Sequence, residues 1–314
     1  MPQVSVIVPA FRVTAYIKDA IDSILGQTFQ DFEILVVNDC CPDTEALERV
    51  LQTYHSRIVY LKLQKNSGPS TARNAGILAS KSPYIALLDA DDLWEPNYLE
   101  VQLEILDSDP GIDILYCDAR IFGDTPSVGQ TNMELNPSDG EVTFSSLISL
   151  TCNVGVFVTG RRAIFLKAGL FEAGRRRAED FDLWLRVIKA GGRIAYHRRV
   201  LVRSRRRADS ASANEEGMLV ADLEVCEKAR RTLQLTDDEL AAMDRQILQW
   251  NAKLELARGK SALDSGRMAD AARHLERAYA YFKTPKLAVV SALARIAPRL
   301  LSWAHRRKAG RYGL

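Results

Sequence analysis

The segment that decides the fold reads YIALLDADD at positions 84–92. Its apolar first half is typical of a buried strand, and its end carries three carboxylates, at Asp89, Asp91 and Asp92. Like charges crowded in this way repel one another unless a cation lies among them. Because hard oxygen ligands suit Mg²⁺ or Mn²⁺, one interpretation is a divalent metal that carries a diphosphate. The alternative is a polar turn that caps the next helix.

Composition places the chain among soluble globular proteins. It has 314 residues, of which 47% are hydrophobic and 26% charged, enough for one large domain or two smaller ones. The net charge of +2 indicates little about partners. Its distribution is more informative, because arginines cluster at positions 175–177 and 193–207, and residues 283–314 include basic but no acidic side chains.

Cysteine usage and the N-terminus favour a cytoplasmic protein. The five cysteines are an odd number without metal-site spacing, and adjacent residues such as Cys40 and Cys41 bridge each other poorly. A strand pattern begins at Val4 with no signal-peptide pattern before it, and no apolar run approaches the roughly 18–20 residues that span a bilayer. We therefore expect a cytoplasmic protein.

Strand and helix patterns alternate along the first half of the chain. The predicted strands are 4–8, 33–37, 58–61, 84–88, 112–117, 154–159 and 193–197, and the predicted helices include one capped by Thr14 and others at 44–54, 70–79, 96–106 and 179–190. This order predicts an α/β fold with a parallel, doubly wound sheet. Ligands in such folds bind beyond the carboxyl ends of strands, where Pro9, Asp39 and the 89–92 stretch fall. That position favours a ligand site over a polar turn.

The pattern becomes entirely helical after about residue 214, which predicts a domain boundary near 215. A long polar loop is expected at 123–141, and helices at 254–265 and 269–282 are expected to form a hairpin across Gly266. The tail has an apolar stripe and an opposing polar and basic stripe, interrupted by Pro298. The two stripes are Val289, Leu293, Ile296, Leu300 and Trp303, and Ser291, Arg295, Arg299, Ser302 and Arg306. A basic amphipathic helix of this kind fits an anionic membrane surface; the alternative is a helix packed on the catalytic domain.

Five motifs occur in one order within residues 4–184. They are VSVIVPAF at 4–11, SILGQTF at 23–29 with DFE at 31–33, NSGP at 66–69 leading to ARNAGI at 72–77, LDADD at 88–92, and EDFDLW at 179–184. Together they resemble family 2 glycosyltransferases, the inverting enzymes with a GT-A fold. The resemblance implies a GT-A-type, mostly parallel sheet in residues 1–215, which form the nucleotide-sugar-binding catalytic domain. A small all-helical region follows at 216–314.

The same resemblance implies an activity. The enzyme would move one sugar from a nucleoside-diphosphate sugar, most often UDP-linked, to a hydroxyl of a glycan or lipid-linked acceptor in cell-surface polysaccharide synthesis. It would use Mg²⁺ or Mn²⁺, work in the cytoplasm, and contact the inner face of the membrane peripherally through its basic tail.

Residue roles follow from the motifs that carry the resemblance. Asp39 would bind the nucleotide's base, Pro9 and Phe11 would line the base or ribose, and Arg73 would contact the nucleotide. The alternatives are a turn cap for Asp39, a loop-shaping role for Pro9 and Phe11, and a solvated helix charge for Arg73.

The acidic motifs supply the remaining roles. The metal ligands would be Asp91 first and Asp89 second, and a metal there would neutralise the charge of the leaving diphosphate. The resemblance makes Asp180 the general base, at a helix start where the dipole favours its ionised form. The acceptor or the sugar would contact Asp92, Glu179 and Trp184. The alternatives are a helix cap for Asp92, a helix cap for Glu179 or Asp180, and a core position for Trp184.

The chain departs from the family pattern at three places. Cys40-Cys41 stand where Gly-Ser is frequent, Arg12 replaces a usual Asn, and Arg207 stands near the place of a frequent His. All three concern phosphate or metal contacts. The arginines at 203–207 either replace part of the charge neutralisation or face solvent.

Two other function classes compete with this interpretation. A sugar nucleotidyltransferase needs a glycine-rich phosphate loop after its first strand, and PAFR at 9–12 is not one. A non-catalytic GT-A-like binding protein would not need Asp39, Asp91 and Asp180. The carboxylates also argue against a nucleic acid substrate.

Overall fold

The computed structural model describes residues 1–207 and 214–297. The chain divides into two compact units, of which the first is Met1–Ala213 with Thr232–Gln234 and the second is Asn214–Arg231 with Leu235–Leu314. The second unit thus starts one residue before the boundary that the sequence pattern indicates.

The first unit is built on one eight-stranded sheet. Its strands are β1 (Val4–Ala10), β2 (Phe32–Asn38), β3 (Ile58–Lys62), β4 (Tyr84–Leu87), β5 (Leu93–Trp94), β6 (Ile114–Gly123), β7 (Val158–Arg161) and β8 (Ile194–Arg206). Their order across the sheet is β3-β2-β1-β4-β7-β6-β8-β5.

The sheet is mixed rather than fully parallel. Neighbours among β3, β2, β1 and β4 pair in parallel, as do β6 and β8, whereas β7 is antiparallel to β4 and β6, and β5 is antiparallel to β8. The predicted mostly parallel sheet is therefore confirmed, and β5 and β7 are its antiparallel strands. Parallel neighbours need a crossover of a dozen or more residues, usually a helix. The connection from β6 holds only two short helices, and β7 returns beside β6 in the opposite direction.

Helices of the first unit cover the sheet and connect its strands. They are α1 (Ile17–Leu25), α2 (Thr44–Leu51) with a 3₁₀ turn at Gln52–Tyr54, α3 (Pro69–Ala79), α4 (Tyr98–Ser108), α5 (Asn132–Leu135), α6 (Phe144–Ile148), α7 (Arg162–Lys167) and α8 (Glu179–Lys189). The predicted cap of α1 is wrong. The N-cap residue is Tyr16, and the Thr14 hydroxyl instead donates a hydrogen bond to Asp43.

Helix α3 packs unusually close to β1. A Cβ atom added at Gly76 would lie 2.6 Å from Cγ2 of Ile7, a fully buried residue of β1, so only glycine permits this approach. The contact fixes α3 beside the carboxyl ends of the central strands, which is where its polar side chains are used.

The carboxyl ends of six strands lie at one edge of the sheet, because β1, β2, β3, β4, β6 and β8 run in the same direction. Strand β8 is much longer than the predicted 193–197 and ends with arginines at this edge. Gly123 pairs with Arg206, has φ of +98°, and an added Cβ there would lie 2.6 Å from the Arg206 carbonyl oxygen. Glycine thus lets β6 and the end of β8 stay together.

The second unit is helical in its described part. Its helices are α9 (Glu215–Thr232), α10 (Asp237–Asp264), α11 (Met268–Phe282) and α12 (Pro285–Ile296). The turn between α10 and α11 contains Gly266 at φ of +72°, as the predicted hairpin requires, and Leu275 of α11 lies in the core that both helices share with α12. Within residues 1–207 and 214–297, no helix is both long and apolar enough to cross a membrane.

The described part of the predicted tail helix is α12, on which Val289 and Ile296 are 57% and 76% exposed. Leu293 packs against the core of the second unit. The rest of the predicted amphipathic stripe, including Pro298, Leu300 and Trp303, lies outside the described residues.

Candidate active site

Asp39 follows β2 and holds the loop that begins α3. Its buried carboxylate accepts hydrogen bonds from the backbone N–H groups of Ser67 and Gly68, both at 2.7 Å, and from Asn66 Nδ2 at 2.9 Å. Gly68 makes this possible, because it has φ of +88° at the N-cap of α3. Asp39 therefore fixes the entry of α3 at the carboxyl edge of the sheet.

Helix α3 also forms hydrogen bonds with the segment that leads to α8. Asn74 and Phe171 exchange two hydrogen bonds, from Asn74 Nδ2 to the Phe171 carbonyl at 2.8 Å and from the Phe171 N–H to Asn74 Oδ1 at 2.9 Å. The Ser70 hydroxyl donates to the carbonyl of Arg175 at 2.7 Å. These contacts join residues about a hundred positions apart, and they bring the start of α8 next to α3.

Arg73 of α3 joins the two acidic motifs. Its side chain is 3% exposed and forms ion pairs with Asp89 at 2.7 Å and with Glu179 at 2.8 Å, and it lies over the Phe171 ring. Burial opposes the guanidinium charge, but the two carboxylates outweigh it and raise the pKa of Arg73 above its usual value. In this structure Arg73 acts within the protein, as a clasp between Asp89 and Glu179.

Asp180 stands at the start of α8, beside this clasp. The preceding Ala178 has φ of +53°, a left-handed conformation that is strained for a residue with a Cβ. Asp180 is half-buried, and its Oδ1 accepts a hydrogen bond from the Phe181 N–H at 2.8 Å. The helix dipole stabilises an ionised carboxylate at this position.

Burial and the neighbouring negative charges both raise pKa values in the acidic stretch. Burial, followed by the charge of Asp89, raises the pKa of Asp91, and burial with the charges of Asp91 and Asp89 raises the pKa of Asp92 well above its usual value. Asp92 is buried and accepts a hydrogen bond from the Arg205 N–H at 2.6 Å, so it secures the end of β8.

The arginines at the end of β8 reach the acidic stretch instead of facing solvent only. Arg205 Nε donates to the Asp91 carbonyl at 3.0 Å, and Arg207 Nε lies 3.4 Å from Asp91 Oδ2. Both arginines are half-buried. Arg205 and Arg207 are therefore not part of a purely solvated face.

Trp184 and Asp182 point away from this edge. Trp184 is 1% exposed, donates from Nε1 to the Val154 carbonyl at 3.0 Å, and meets the Phe165 and Phe171 rings edge to face. This is the environment of a core residue and offers no face to an acceptor sugar. Asp182 is buried against Arg186 at 2.7 Å.

The loops after β1 and β2 are strained and lie together. Arg12 and Cys40 have φ of +55° and +53°, and the Arg12 N–H donates to Cys41 Sγ at 3.0 Å. The Arg12 guanidinium lies over the Phe11 ring, which is half-buried. With Ala178, these positions are three of the six non-glycine residues with positive φ among the described residues. Strain of this kind concentrates at functional sites.

Some residues in this arrangement were given no role by the sequence. Asn66 bonds to Asp39 and also accepts from Arg176 Nη2 at 2.6 Å, and Asn74 binds Phe171 in both directions. Both lie in the NSGP and ARNAGI motifs, so the signal was present. For Tyr16, which packs under two arginines, the sequence offers no comparable signal.

The donor set suits a divalent cation in its chemistry. Asp89 and Asp91 are 32% and 19% exposed, and their oxygens are hard ligands whose mutual repulsion a cation would relieve. Across residues 1–207 and 214–297, no three His, Cys, Asp or Glu side chains converge as a ready metal cage. Mg²⁺ is commonly held by one or two carboxylates together with substrate phosphates, so two carboxylates are compatible with it.

Comparison with known proteins decides the family. The family model described as Glycosyl transferase family 2 matches residues 5–169, more than half of the chain. The chain belongs to glycosyl transferase family 2. This transferase is 31% identical over 213 residues to an uncharacterized glycosyltransferase of Rickettsia prowazekii, a match that covers 65% of this chain and 64% of that protein. It is 38% identical over 108 residues to TuaG of Bacillus subtilis, which is named for teichuronic acid biosynthesis, with 33% of this chain and 42% of TuaG covered.

Solved structures show the fold of this transferase. TarS 1–349 of S. aureus, crystallised with UDP-GlcNAc, superposes with a TM-score of 0.64 at 16% identity, covering 98% of this chain and 92% of that chain. The mannosyltransferase PcManGT of Pyrobaculum calidifontis, in complex with GDP-Man and Mn²⁺, gives a TM-score of 0.62 at 18% identity, covering 96% and 86%. The predicted GT-A fold is confirmed. The sequence matches span just under two thirds of the length of the first curated relatives, and about a third of others.

Proposed function

We propose that this family 2 transferase moves one sugar, with inversion, from a nucleoside-diphosphate sugar to a hydroxyl group. The observation that carries the proposal is the Arg73 clasp. It joins the carboxylates that follow β4 to the start of α8, at the edge of the sheet where ligands bind in open α/β folds. A donor and an acceptor bound at this edge would meet carboxylates from both motifs.

Asp180 is the proposed general base. It would accept the proton of the acceptor hydroxyl while that oxygen attacks the anomeric carbon from the face opposite the diphosphate. This direction of attack inverts the anomeric configuration, and the transition state would resemble an oxocarbenium ion. We do not assign the role of general base to Glu179, because its carboxylate forms an ion pair with Arg73.

Asp91 and Asp89 are the residues that would hold a divalent cation. When bound, such a cation neutralises charge that develops on the leaving diphosphate. Asp92 is buried behind them and bonded to the Arg205 backbone, so we assign it the support of this stretch rather than a sugar contact.

Asp39, Pro9 and Phe11 are the proposed base and ribose contacts. The Asp39 carboxylate uses three of its roughly four acceptor sites on the loop at 66–68, which leaves one for an imide N–H of the base. We assign Arg73 the positioning of Asp89 and Glu179 instead of a nucleotide contact.

We propose a chemical class for the donor and one for the acceptor. UDP-linked sugars are the first candidates and GDP-linked sugars the second, because the two structural neighbours were solved with one of each. The proposed acceptor is a glycan or a lipid-linked glycan in cell-surface polysaccharide synthesis, supported by the similarity to TuaG.

A thermal-shift screen tests the donor site. The full chain is heated with UDP-, GDP- and dTDP-sugars, with Mn²⁺ or with EDTA, and we expect at least one to raise the melting temperature, more so with Mn²⁺. Asp91→Ala should lose this rise. Asp31→Ala is the matched control, because Asp31 precedes β2 at the opposite edge of the sheet. Equal stabilisation of wild type and Asp91→Ala by every donor would contradict the donor site.

We also propose that the basic C-terminal segment, residues 283–314, contacts an anionic membrane. Residues 283–314 include no acidic side chain, and α12 exposes Val289 and Ile296. Flotation with vesicles of anionic or of neutral lipid would compare the full chain with a truncation after Ala297, which retains the core residues Leu287 and Ala294. We expect the truncation, which loses the basic residues after position 297, to float less than the full chain, and neither to float with neutral vesicles. Identical flotation of both chains would remove the proposal.

A further inference from the structure

Five side chains form a continuous stack beside Asp91, with arginines alternating with aromatic rings. We call it the arginine ladder, and in order it consists of Arg203, Phe122, Arg205, Tyr16 and Arg207. The guanidinium carbons of Arg203 and Arg205 lie 5.1 and 4.4 Å from the centre of the Phe122 ring. Those of Arg205 and Arg207 lie 4.7 and 5.2 Å from the centre of the Tyr16 ring. All four contacts are within the range of cation–π attraction.

The ladder follows from strand geometry. Side chains two residues apart point to the same face of a strand, so Arg203 and Arg205 of β8 project together, and Arg207 directly follows the strand at the same spacing. Phe122 comes from β6, where it is the register partner of Arg205. Tyr16 comes from the turn that begins α1. Three segments distant in sequence are thus needed to order one row of charges.

The ladder is anchored to the acidic stretch at its middle. The backbone N–H of Arg205 donates to Asp92 and its Nε donates to the Asp91 carbonyl, so its position relative to those carboxylates is fixed. One end of the ladder, at Arg203, is exposed. The other end, at Arg207, lies over Asp91.

Arg207 differs from a buried structural arginine such as Arg73. Its side chain is 18% exposed, and its Nε lies 3.4 Å from Asp91 Oδ2, longer than a strong charge-assisted hydrogen bond. A guanidinium presents five N–H donors in a fixed plane, a shape that matches phosphate oxygens. A phosphate at Asp91 would therefore meet a cation that is already oriented.

We propose that the arginine ladder holds the Arg207 guanidinium against the donor's diphosphate, with Tyr16 and Phe122 as positioning residues that keep it there. The proposal rests on the proposed function, since it deepens the donor site. In this arrangement Arg207 neutralises part of the charge on the leaving diphosphate, and the fixed stack lowers the cost of ordering the side chain when the donor binds.

Calorimetric titration with free nucleotides tests this directly. The full chain and its variants are titrated with UDP, GDP, UMP and GMP, in Mn²⁺ and again in EDTA, in whichever medium the wild type binds. We expect Arg207→Gln to weaken diphosphate binding about 10- to 100-fold, as for the loss of a hydrogen bond between charged groups, and monophosphate binding much less. Arg199→Gln, an exposed arginine of the same strand, is the matched control and should bind as the wild type does.

Variants at Tyr16 separate positioning from contact. Tyr16→Leu removes the ring between two guanidinium groups and should weaken diphosphate binding in the same direction as Arg207→Gln. Tyr16→Phe keeps the ring and should bind as the wild type does. In the double variant Tyr16→Leu/Arg207→Gln, the loss should be less than the product of the two single losses, because both act through one guanidinium.

The outcomes distinguish this proposal from the donor site itself. If the wild type binds neither UDP nor GDP in either medium, the proposed function fails together with the ladder. If the wild type binds and Arg207→Gln binds equally well, the ladder proposal alone is overturned. A loss in Tyr16→Phe as large as that in Tyr16→Leu would also overturn it, because the hydroxyl and not the ring face would then be responsible.

Discussion

The two units of this transferase treat buried carboxyl groups differently. In the first unit, Asp89 and Glu179 share the buried guanidinium of Arg73, and Asp91 faces Arg207. In the second unit, burial alone raises the pKa of Asp222, on α9, to about 6. Arginines thus lie beside the acidic side chains of the first unit, whereas burial is the only influence that shifts the pKa of Asp222.

This difference between the units indicates where buried carboxylates have cationic partners. An ionised carboxylate taken out of water costs free energy unless a cation or several donors compensate it. The first unit has compensating arginines at the edge where a diphosphate and an acceptor are proposed to bind. Burial alone shifts the pKa of Asp222, and no cationic group among the described residues offsets it. The ionised form of Asp222 should therefore destabilise the second unit at neutral pH. Four changes test this contrast, from the largest expected effect to the smallest.

Asp180→Asn should have the largest effect. Removing the proposed base should lower turnover by about 10²- to 10⁴-fold, because general base catalysis contributes about that much. Nucleoside diphosphate affinity should stay unchanged, since Asp180 takes no part in the proposed donor contacts. The measurement is release of nucleoside diphosphate from the donor found in the screen, with acceptor present. Full activity in this variant would assign the base to another residue.

Arg73→Met should cost the first unit about 3–5 kcal/mol of unfolding free energy. The change leaves the carboxylates of Asp89 and Glu179 without their shared cation, and breaking a buried ion pair from one side carries a penalty of that size. Denaturant unfolding followed by circular dichroism measures it.

Arg207→Met is the matched control for this comparison. Its guanidinium is more exposed and its ion pair with Asp91 longer, so the expected cost is only about 1 kcal/mol. Equal losses for Arg73→Met and Arg207→Met would show that the clasp and the ladder do not differ in the way we infer.

Local patterns were sufficient for most of the fold. The apolar strands at 4–8, 33–37 and 84–88 and the hairpin across Gly266 were found at nearly their observed positions, because apolar runs and turn glycines act within a few residues. The N-cap rule failed at Thr14, whose hydroxyl is engaged by Asp43, 29 residues away. Caps compete with tertiary contacts that a local rule does not include.

The site was harder to predict, because its contacts join distant residues. Arg73 lies among small side chains and could have been solvated; its partners Asp89 and Glu179 are 16 and 106 residues away. The arginines of β8 follow a pattern that usually indicates a solvated face. The arginines form an ordered stack only because the Tyr16 and Phe122 rings pack beside them in the fold.

Asp222→Asn should stabilise the second unit at neutral pH by roughly 2–3 kcal/mol. With its pKa raised to about 6, the folded protein holds this proton to a higher pH than the unfolded chain does. The contribution to stability is therefore fully present below about pH 4 and is lost as the pH rises through about 6. An asparagine keeps the neutral form at every pH. Melting temperatures at pH 4 and pH 8 should thus differ between wild type and variant only at pH 8, and an equal shift at both would exclude burial of the charge as the cause.

Among the four changes, leaving the control Arg207→Met aside, Trp184→Phe should have the smallest effect. We expect a loss of about 1–2 kcal/mol, from one buried hydrogen bond to the Val154 carbonyl and a small cavity. Trp250→Phe is its counterpart in the second unit, where Trp250 is 2% exposed. If both tryptophans are core residues, each variant loses stability and neither changes the KM for the acceptor. A raised acceptor KM in Trp184→Phe alone would instead favour stacking on the acceptor sugar. That would require the segment around Val154 to move away from the indole, since the ring has no free face in this structure.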